Sequence, residues 1–318
     1  MIGNSHQDSQ SDERQRLPSR SGLSRTAIHG SSVNSRVAVS RNRAQSTPPV
    51  HMPSTRRSVL VDIVALSVAV CAVHAPRPAG AQAKPIIAVF AHPDDERVVA
   101  PLLSRLAREG RGRDVHLVIA TDGSKGVREH AGIPAGPALA AARALEAACA
   151  AKRLGVRLHM LGLEDGGLAS FDALGRLRTQ VAKIVDDLRP SAIITFGPEG
   201  GTGHPDHRLV GNVVTQVVQG EARNLTIDLL YASLPAERLR TAPPSTPTVN
   251  GVAEELLTVR VPFESQDLVA GREEFACHKT QYTSAEMDAI NKTLAYAWNG
   301  RVWLRPWRGT LRDPAVFR

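Results

Sequence analysis

Cysteine is scarce in this chain, which has three in 318 residues. Cys71 lies in an apolar segment near the amino terminus, while Cys149 and Cys277 lie far apart in segments whose patterns predict helices. No two cysteines have the short spacing of a zinc or redox motif, so neither a cysteine metal site nor a disulfide framework is expected. We expect Cys149 and Cys277 to be small buried apolar residues.

Aromatic residues make up only 4% of the chain, and its excess positive charge lies at one end. Residues 1–83 contain ten Arg and no Lys against four acidic residues, whereas residues 84–318 contain 29 basic and 27 acidic residues. The body of the protein is therefore close to neutral. Because it has no stripe of basic residues interleaved with aromatic ones, the sequence gives no support to a nucleic-acid partner.

A hydrophobic run long enough to span a membrane is also missing. The apolar run at residues 59–73 is shorter than the roughly 20 residues that a span needs. It follows Arg56-Arg57 and precedes the small-x-small residues Ala81-Gln82-Ala83. This order is typical of an export signal peptide, and the paired arginines resemble a twin-arginine signal. We expect cleavage after Ala83 and an exported protein, periplasmic or extracellular, without a stable membrane span.

Residues 1–51 are rich in Ser, Arg, Gln and Asn and have hardly any apolar periodicity, so they are predicted to be disordered. A signal that begins at Met52 leaves them without a role. Our hypothesis is that translation starts at Met52. The predicted organisation is then a disordered or untranslated segment at 1–51, a signal peptide at 52–83 and one domain at 84–318.

The domain alternates short apolar runs with segments of helical character. Strands are predicted at residues 85–91, 115–121, 157–161, 191–196 and 225–232, with an edge strand at 259–262. Helices are predicted at 94–108, 138–154, 171–188, 205–220, 265–280 and 284–296, with a loop at 235–253 and no assigned element in the tail. The alternation predicts an α/β, Rossmann-like fold with a mostly parallel sheet and helices on both faces. Its active site is expected at the carboxyl ends of the strands.

Two of the predicted strands run directly into polar clusters. Residues 86–91 are apolar and are followed by His-Pro-Asp-Asp-Glu at 92–96, and the strand at 191–196 opens through a glycine-rich turn into His-Pro-Asp-His at 204–207. Burying such groups is costly unless they are paired or bind a metal, which indicates a functional site. The alternative for the first cluster is a helix N-terminus whose acidic residues complement the helix dipole. The repeated arrangement favours a site.

The residue types in these clusters suit metal-dependent hydrolysis. Two histidines and a carboxylate can bind Zn²⁺ or Fe²⁺ and leave positions open for water and substrate. A catalytic zinc lowers the pKa of its bound water to about 7. Of the adjacent Asp94 and Asp95, one can bind metal while the other handles the proton. Of His204 and His207, on the first turn of a helix, one can bind metal and the other can meet an oxyanion.

Residues 91–96 and 203–207 resemble the two signatures of the PIG-L or LmbE-like deacetylases, zinc enzymes that remove acetyl from N-acetylglucosaminyl groups. The resemblance covers roughly residues 84–282. It implies metal ligands at His92, Asp95 and His207, a general base at Asp94, an oxyanion-stabilising His204 oriented by Asp206, and sugar-facing Arg143 and Asp165. For Arg143, a helix-surface residue paired with Glu146 or Glu164 remains an equal alternative.

The chain departs from the family pattern at two positions. Ser124 stands where the family commonly has Glu, which bears on sugar recognition, and Thr202 stands where some members have Tyr, a possible oxyanion donor. Residues 278–281, His-Lys-Thr-Gln, resemble a late family motif for which we expect a packing role near the site.

The leading expectation is a zinc-dependent N-deacetylase acting on N-acetylglucosamine-containing conjugates. One alternative keeps the metal and hydrolyses a different N-acyl or thiol-sugar conjugate. The other is a non-catalytic sugar-binding protein with a degenerate site, suggested by Ser124.

Overall fold

The computed structural model describes residues 83–109, 114–245 and 248–308. The predicted disordered segment at 1–51 and the predicted signal peptide, apart from Ala83, lie outside the described residues.

One seven-stranded sheet forms the centre of the fold. Its strands are β1 Ile86–Phe90, β2 Val115–Thr121, β3 Arg157–Leu163, β4 Ala192–Phe196, β5 Asp228–Ala232, β6 Val259–Pro262 and β7 Arg301–Pro306, in the order β3-β2-β1-β4-β5-β7-β6. Strands β1 to β5 pair in parallel, and β7 is antiparallel to both β5 and β6. The mostly parallel α/β sheet is confirmed, with β6 at the edge as predicted. Strand β7 was not predicted.

Helices cover both faces of the sheet. They are α1 Ala100–Glu109, α2 Pro137–Leu154, α3 Phe171–Leu188, α4 Pro205–Gln219, α5 Ala236–Leu239, α6 Ser265–Phe275 and α7 Ser284–Trp298. Local sequence sets several of their ends: the Ser170 side chain accepts from the Ala173 N–H at the start of α3, and Thr283 forms a capping box with Glu286 at the start of α7. The short α5 lies inside the predicted 235–253 loop.

The first predicted helix begins later than expected. Asp94 has a φ of 103°, in the left-handed region, so it cannot belong to a right-handed helix. A 3-10 turn at Asp95–Val98 follows, and α1 begins only at Ala100. The cluster at 92–96 therefore forms a turn at the end of β1.

The central strand β1 is buried on both faces. Alternate residues Ile86, Ala88 and Phe90 join one apolar core with α1, α6 and α7, while Ile87 and Val89 join a second core with α3 and α4. The chain proceeds from β1 outward to β2 and β3, then returns to place β4 on the other side of β1. The carboxyl ends of β1 and β4 therefore flank the point where strand order reverses, where ligands bind in open α/β sheets.

A disulfide joins two helical segments on one side of the sheet. Cys149 of α2 and Cys277, just beyond the end of α6, are bonded; their Cα atoms are 5.9 Å apart, and the two residues are separated by 128 positions in sequence. The expectation of two small buried apolar residues was wrong, and Cys149 is exposed. The pairing depends on how α2 and α6 lie together in the tertiary structure, which cysteine spacing does not reveal.

The disulfide should contribute measurably to stability. Replacing both residues (Cys149→Ala with Cys277→Ala) should lower the free energy of unfolding by about 2–5 kcal/mol, because the bond closes a long loop in the unfolded chain. Urea unfolding of the oxidised protein measures this. Reduced wild type is the control and should fall to the stability of the double variant; equal stability of all three forms would contradict the structure.

Candidate metal centre and cleft

The turn after β1 separates two adjacent carboxylates. The His92 N–H donates to Asp95 Oδ2 at 2.8 Å, and the Asp94 N–H donates to Glu96 Oε2 at 2.9 Å. The left-handed backbone at Asp94 costs a non-glycine residue about 1–3 kcal/mol, and such strain concentrates at functional sites. As a result, Asp95 faces the histidines while Asp94 faces a different set of partners.

The second cluster is delivered by the turn from β4 into α4. His204 is the N-cap residue of α4, and its Nδ1 accepts from the Asp206 N–H at 3.1 Å. Helix α4 can lie close to β4 because residue 211 is glycine: a Cβ there would stand 2.2 Å from the Phe196 carbonyl oxygen. This close approach places His207, on the first turn of α4, beside the end of β1.

The three predicted metal ligands converge. His207 Nε2 lies 3.0 Å from Asp95 Oδ1 and 3.1 Å from His92 Nδ1, and His92 Nδ1 lies 3.5 Å from Asp95 Oδ2. The His207 Nδ1–H donates to the Gly200 carbonyl at 2.9 Å, so in the neutral ring Nε2 carries a lone pair. Two acceptor atoms 3.0 Å apart repel unless a proton or a cation lies between them. The donor set and its orientation therefore fit a divalent cation.

Electrostatics at His92 favour positive charge. Its Nε2 lies 3.1 Å from Asp165 Oδ1 and 3.4 Å from Asp206 Oδ2. Burial disfavours the imidazolium, but the nearby carboxylates of Asp165, Asp206 and Asp95 outweigh it and raise the pKa of His92 well above its usual value. Burial likewise opposes ionisation of Asp165, yet His92 and the Lys125 N–H bring the pKa of Asp165 down to about 2. Despite burial, the pKa values of Asp95 and Asp206 are also lowered, by His92 and, for Asp95, His207, so three ionised carboxylates lie beside the His92 imidazole.

His204 is held as a donor facing the other two histidines. Its ring centroid lies 4.6 Å from that of His92 and 5.2 Å from that of His207. Burial and the neighbouring His92 and His207 lower the pKa of His204, so the ring is neutral near pH 7. Because Nδ1 already accepts from the Asp206 N–H, the proton resides on Nε2.

The carboxylate of Asp206 has a different position from the one predicted. It was expected to orient His204, but Oδ2 accepts from the Gly166 N–H at 2.8 Å and lies near His92. The contact between Asp206 and His204 comes from the backbone N–H of Asp206. The side chain of Asp206 therefore acts on His92 and on the loop after β3.

Three side chains hold the carboxylate of Asp94. Arg143 Nη2 lies 3.2 Å from Oδ1, Arg97 Nη1 lies 3.2 Å from Oδ2, and the Tyr282 hydroxyl donates to Oδ2 at 2.6 Å. Burial, together with the negative charge of Asp94, keeps the pKa of Tyr282 above its usual value, so the hydroxyl retains its proton. Sequence reasoning missed Arg97 and Tyr282.

Arg143 is only 2% exposed, which excludes the helix-surface alternative. Its guanidinium also donates to the carbonyls of Pro93 at 2.6 Å and Gly123 at 3.2 Å. The two alternative partners are engaged elsewhere, Glu146 with Thr280 and Glu164 with Lys125. Arg143 therefore ties α2 to the turn after β1.

A polar cleft of about 280 Å³ opens above these residues, and a small apolar cavity of about 30 Å³ adjoins it. All the predicted site residues except Asp206 line the cleft, together with Arg97, Lys125, Gly126, Gly166, Thr202, Gln281 and Tyr282. The cavity is lined by Val98, Phe196, Val249, Ile290 and Leu294, among others, and shares Asp95, Arg97, Thr202 and His207 with the cleft. The predicted ligands thus lie between a polar and an apolar compartment.

Metal binding should depend on this constellation. In chelator-stripped protein, His207→Gln should lower Zn²⁺ affinity by at least about 100-fold, because it replaces an imidazole ligand with an amide that binds zinc poorly. Titration calorimetry measures the affinity. The matched control is His159→Gln on β3. The imidazole of His159 does not line the cleft, and its Nε2 lies 2.8 Å from His116 Nδ1. Equal affinities of the two variants would refute the site.

Comparison with known proteins agrees with the fold and the signatures. Residues 87–218 match the PIG-L family, described as GlcNAc-PI de-N-acetylase. A 1D-myo-inositol 2-acetamido-2-deoxy-alpha-D-glucopyranoside deacetylase from Corynebacterium glutamicum is 33% identical over 160 residues, which are 44% of this chain and 54% of that protein. The chain spans about half the length of the relatives of this type.

Two other proteins match over more of their length. A probable N-acetyl-alpha-D-glucosaminyl L-malate deacetylase 2 from Bacillus anthracis is 29% identical over 226 residues, 70% of this chain and 96% of that protein. The N,N'-diacetylchitobiose deacetylase from Pyrococcus horikoshii has a similar structure, with a TM-score of 0.53 over 71% of this chain and 83% of that one. At 18% identity, that likeness shows the fold alone. Together with the two signatures, these matches show that residues 87–218 are similar to the PIG-L family and that the fold resembles that of the Pyrococcus horikoshii deacetylase.

Proposed function

We propose that this protein is a metal-dependent hydrolase that removes the acetyl group from N-acetylglucosamine-containing conjugates. The observation that carries the proposal is the convergence of His92, Asp95 and His207 on the floor of the cleft, with Asp94 beside them. The names of the relatives, which describe deacetylases of acetamido sugars, support this substrate class.

The same three residues would hold the metal. Zn²⁺ suits two imidazoles and a carboxylate, and Fe²⁺ is compatible with the same set. When bound, such an ion polarises the amide carbonyl and lowers the pKa of a coordinated water to about 7. The carboxylates of Asp165 and Asp206 lie beside His92, where they would orient its ring and strengthen it as a metal ligand.

The remaining chemistry belongs to side chains of the cleft. Asp94 accepts a proton from the attacking water and passes it to the departing amine, and its carboxylate is fixed for this by Arg143 and Tyr282. The His204 Nε2–H donates to the carbonyl oxygen as negative charge develops there. Thr202 also lines the cleft, where some family members have Tyr.

The two compartments suggest how the substrate lies. The polar cleft, with Lys125, Asp165 and Gln281, suits a sugar, whereas the adjoining apolar cavity suits the methyl of an acetyl group. A cavity of about 30 Å³ favours a short acyl group. A different N-acyl or thiol-sugar conjugate would use the same chemistry, so substrates must be compared directly. The sugar-binding alternative is disfavoured because all the side chains implied in catalysis are present.

Replacing the proposed base should separate catalysis from metal binding. We expect Asp94→Ala to lower kcat/KM for acetate release by about 10²–10⁴-fold while the bound metal is retained, because Asp94 handles the proton and Asp95 holds the ion. Acetate release is measured across N-acetylglucosaminyl-inositol, N-acetylglucosaminyl-malate and N,N'-diacetylchitobiose, with and without chelator. Asp288→Ala, at an exposed position on α7, is the control. Full activity of Asp94→Ala, or activity that survives the chelator, would contradict the mechanism.

We propose in addition that the protein is exported by the signal at residues 52–83. The disulfide between Cys149 and Cys277 supports this, since such bonds persist in oxidising compartments and are rare in the cytosol. Among the residues that the structure describes, no helix has the length and apolar character needed to cross a membrane.

Export should leave a defined N-terminus. Mass spectrometry of the protein purified from its host should find a mature chain that begins at Lys84, because the small-x-small sequence ends at Ala83. Arg56→Lys with Arg57→Lys should block processing if the twin-arginine route is used. Peptides from residues 1–51 in the mature protein would refute both cleavage and a start at Met52.

A further inference from the structure

Beneath the cleft lies a cluster of three ionisable side chains that the proposed mechanism does not use. Glu96, Glu274 and His278 are each 0% exposed. His278 Nε2 lies 3.1 Å from Glu96 Oε1 and 3.4 Å from Glu274 Oε1. Removing such groups from water is costly, and apolar residues of similar volume would be at least as stabilising. Stability alone therefore does not account for the burial of these three side chains.

Glu96 connects this cluster to Asp94. One carboxylate oxygen of Glu96 faces His278, and the other, Oε2, accepts from the backbone N–H of Asp94 at 2.9 Å. Asp94 is the residue with the left-handed φ of 103°, a conformation that a non-glycine residue keeps only when its surroundings impose it. The hydrogen bond from the Asp94 N–H to Glu96 restrains the backbone of Asp94 in this conformation, and the contact with His278 in turn fixes the orientation of the Glu96 carboxylate.

The segment that carries His278 is itself anchored to α2. Cys277 is bonded to Cys149 of α2, and the Thr280 N–H and hydroxyl donate to Glu146 of α2 at 2.7 and 2.8 Å. Helix α2 also contributes Arg143, which contacts the Asp94 carboxylate. The anchored segment therefore contacts the Asp94 backbone through His278 and Glu96, and α2 contacts the Asp94 side chain through Arg143.

We infer that His278 is a positioning residue, which acts through Glu96 to hold Asp94 in the geometry that proton transfer requires. The inference rests on the proposed function of Asp94 as the general base. The chain of contacts runs from the His278 ring to the Glu96 carboxylate and from there to the Asp94 amide. Misplacement of a catalytic group by about 1 Å can cost about 100-fold in rate, so loss of this restraint should appear in kcat.

The kinetic test compares two replacements of His278. His278→Leu removes the hydrogen-bond donor to Glu96 and should lower kcat by about 10- to 100-fold, with KM changed less than about 3-fold, because substrate contacts remain. His278→Gln keeps a donor that reaches Glu96 and should recover kcat to within about 5-fold of wild type. Thr280→Val is the matched control; it removes one bond to Glu146 in the same segment and should leave kcat within about 3-fold.

Metal content and hydrogen exchange provide readouts that do not depend on activity. Metal analysis should find one ion per chain in wild type and in His278→Leu. In chelated protein, the peptide covering residues 92–97 should exchange its amide hydrogens faster in His278→Leu than in Thr280→Val. If His278→Leu does not fold, His278→Asn, whose amide is one methylene too short to reach Glu96, replaces it in both measurements.

Three results would overturn the inference. They are unchanged kcat in His278→Leu, an equal loss in Thr280→Val, and a second metal ion that disappears with His278, which would make the cluster a metal site. An inactive wild type would instead refute the proposed function, and the exchange comparison would still decide whether His278 restrains Asp94.

Discussion

The mutual repulsion of acceptor atoms at the end of β1 is the constraint on which the site depends. His92, Asp95 and His207 turn lone pairs and negative charge toward one point in a buried environment, at separations of 3.0–3.5 Å. Such an arrangement is stable only with positive charge at its centre, carried by a proton or a metal ion. The carboxylates of Asp165 and Asp206 strengthen this demand, since both lie against His92. The fold therefore holds a cation-binding geometry in place.

Close packing around the sheet makes that geometry possible. Strand β1 is buried on both faces, and glycine at position 211 allows α4 to approach the end of β4. Side chains from two turns more than 100 residues apart are consequently held within hydrogen-bonding distance. The strained backbone at Asp94 is tolerated because the same scaffold restrains it from several directions.

Helix α2 contributes more than a covering layer. It carries Arg143 to the Asp94 carboxylate, Glu146 to Thr280, and Cys149 to the disulfide with Cys277. The proposed base is thus supported by elements from both the middle and the late part of the chain, while the proposed metal ligands come from the turns after β1 and β4. This separation gives the two adjacent carboxylates, Asp94 and Asp95, different surroundings.

The sequence by itself determined the parallel α/β sheet and the two turns that end in histidine and aspartate. Those features follow from local patterns, because an apolar run of strand length and a glycine-rich turn limit where the chain can go. The assignment of His92, Asp95 and His207 as metal ligands came from the resemblance to a family, and their convergence depends on how α4 packs beside β4. Only the tertiary structure decided that Cys149 pairs with Cys277, that Arg97 and Tyr282 hold Asp94, that Asp206 turns to His92, and that β7 enters between β5 and β6. Each of these depends on contacts between segments that are distant in sequence. The packing of helices and strands sets such contacts, and the hydrophobic periodicity of the sequence does not predict them.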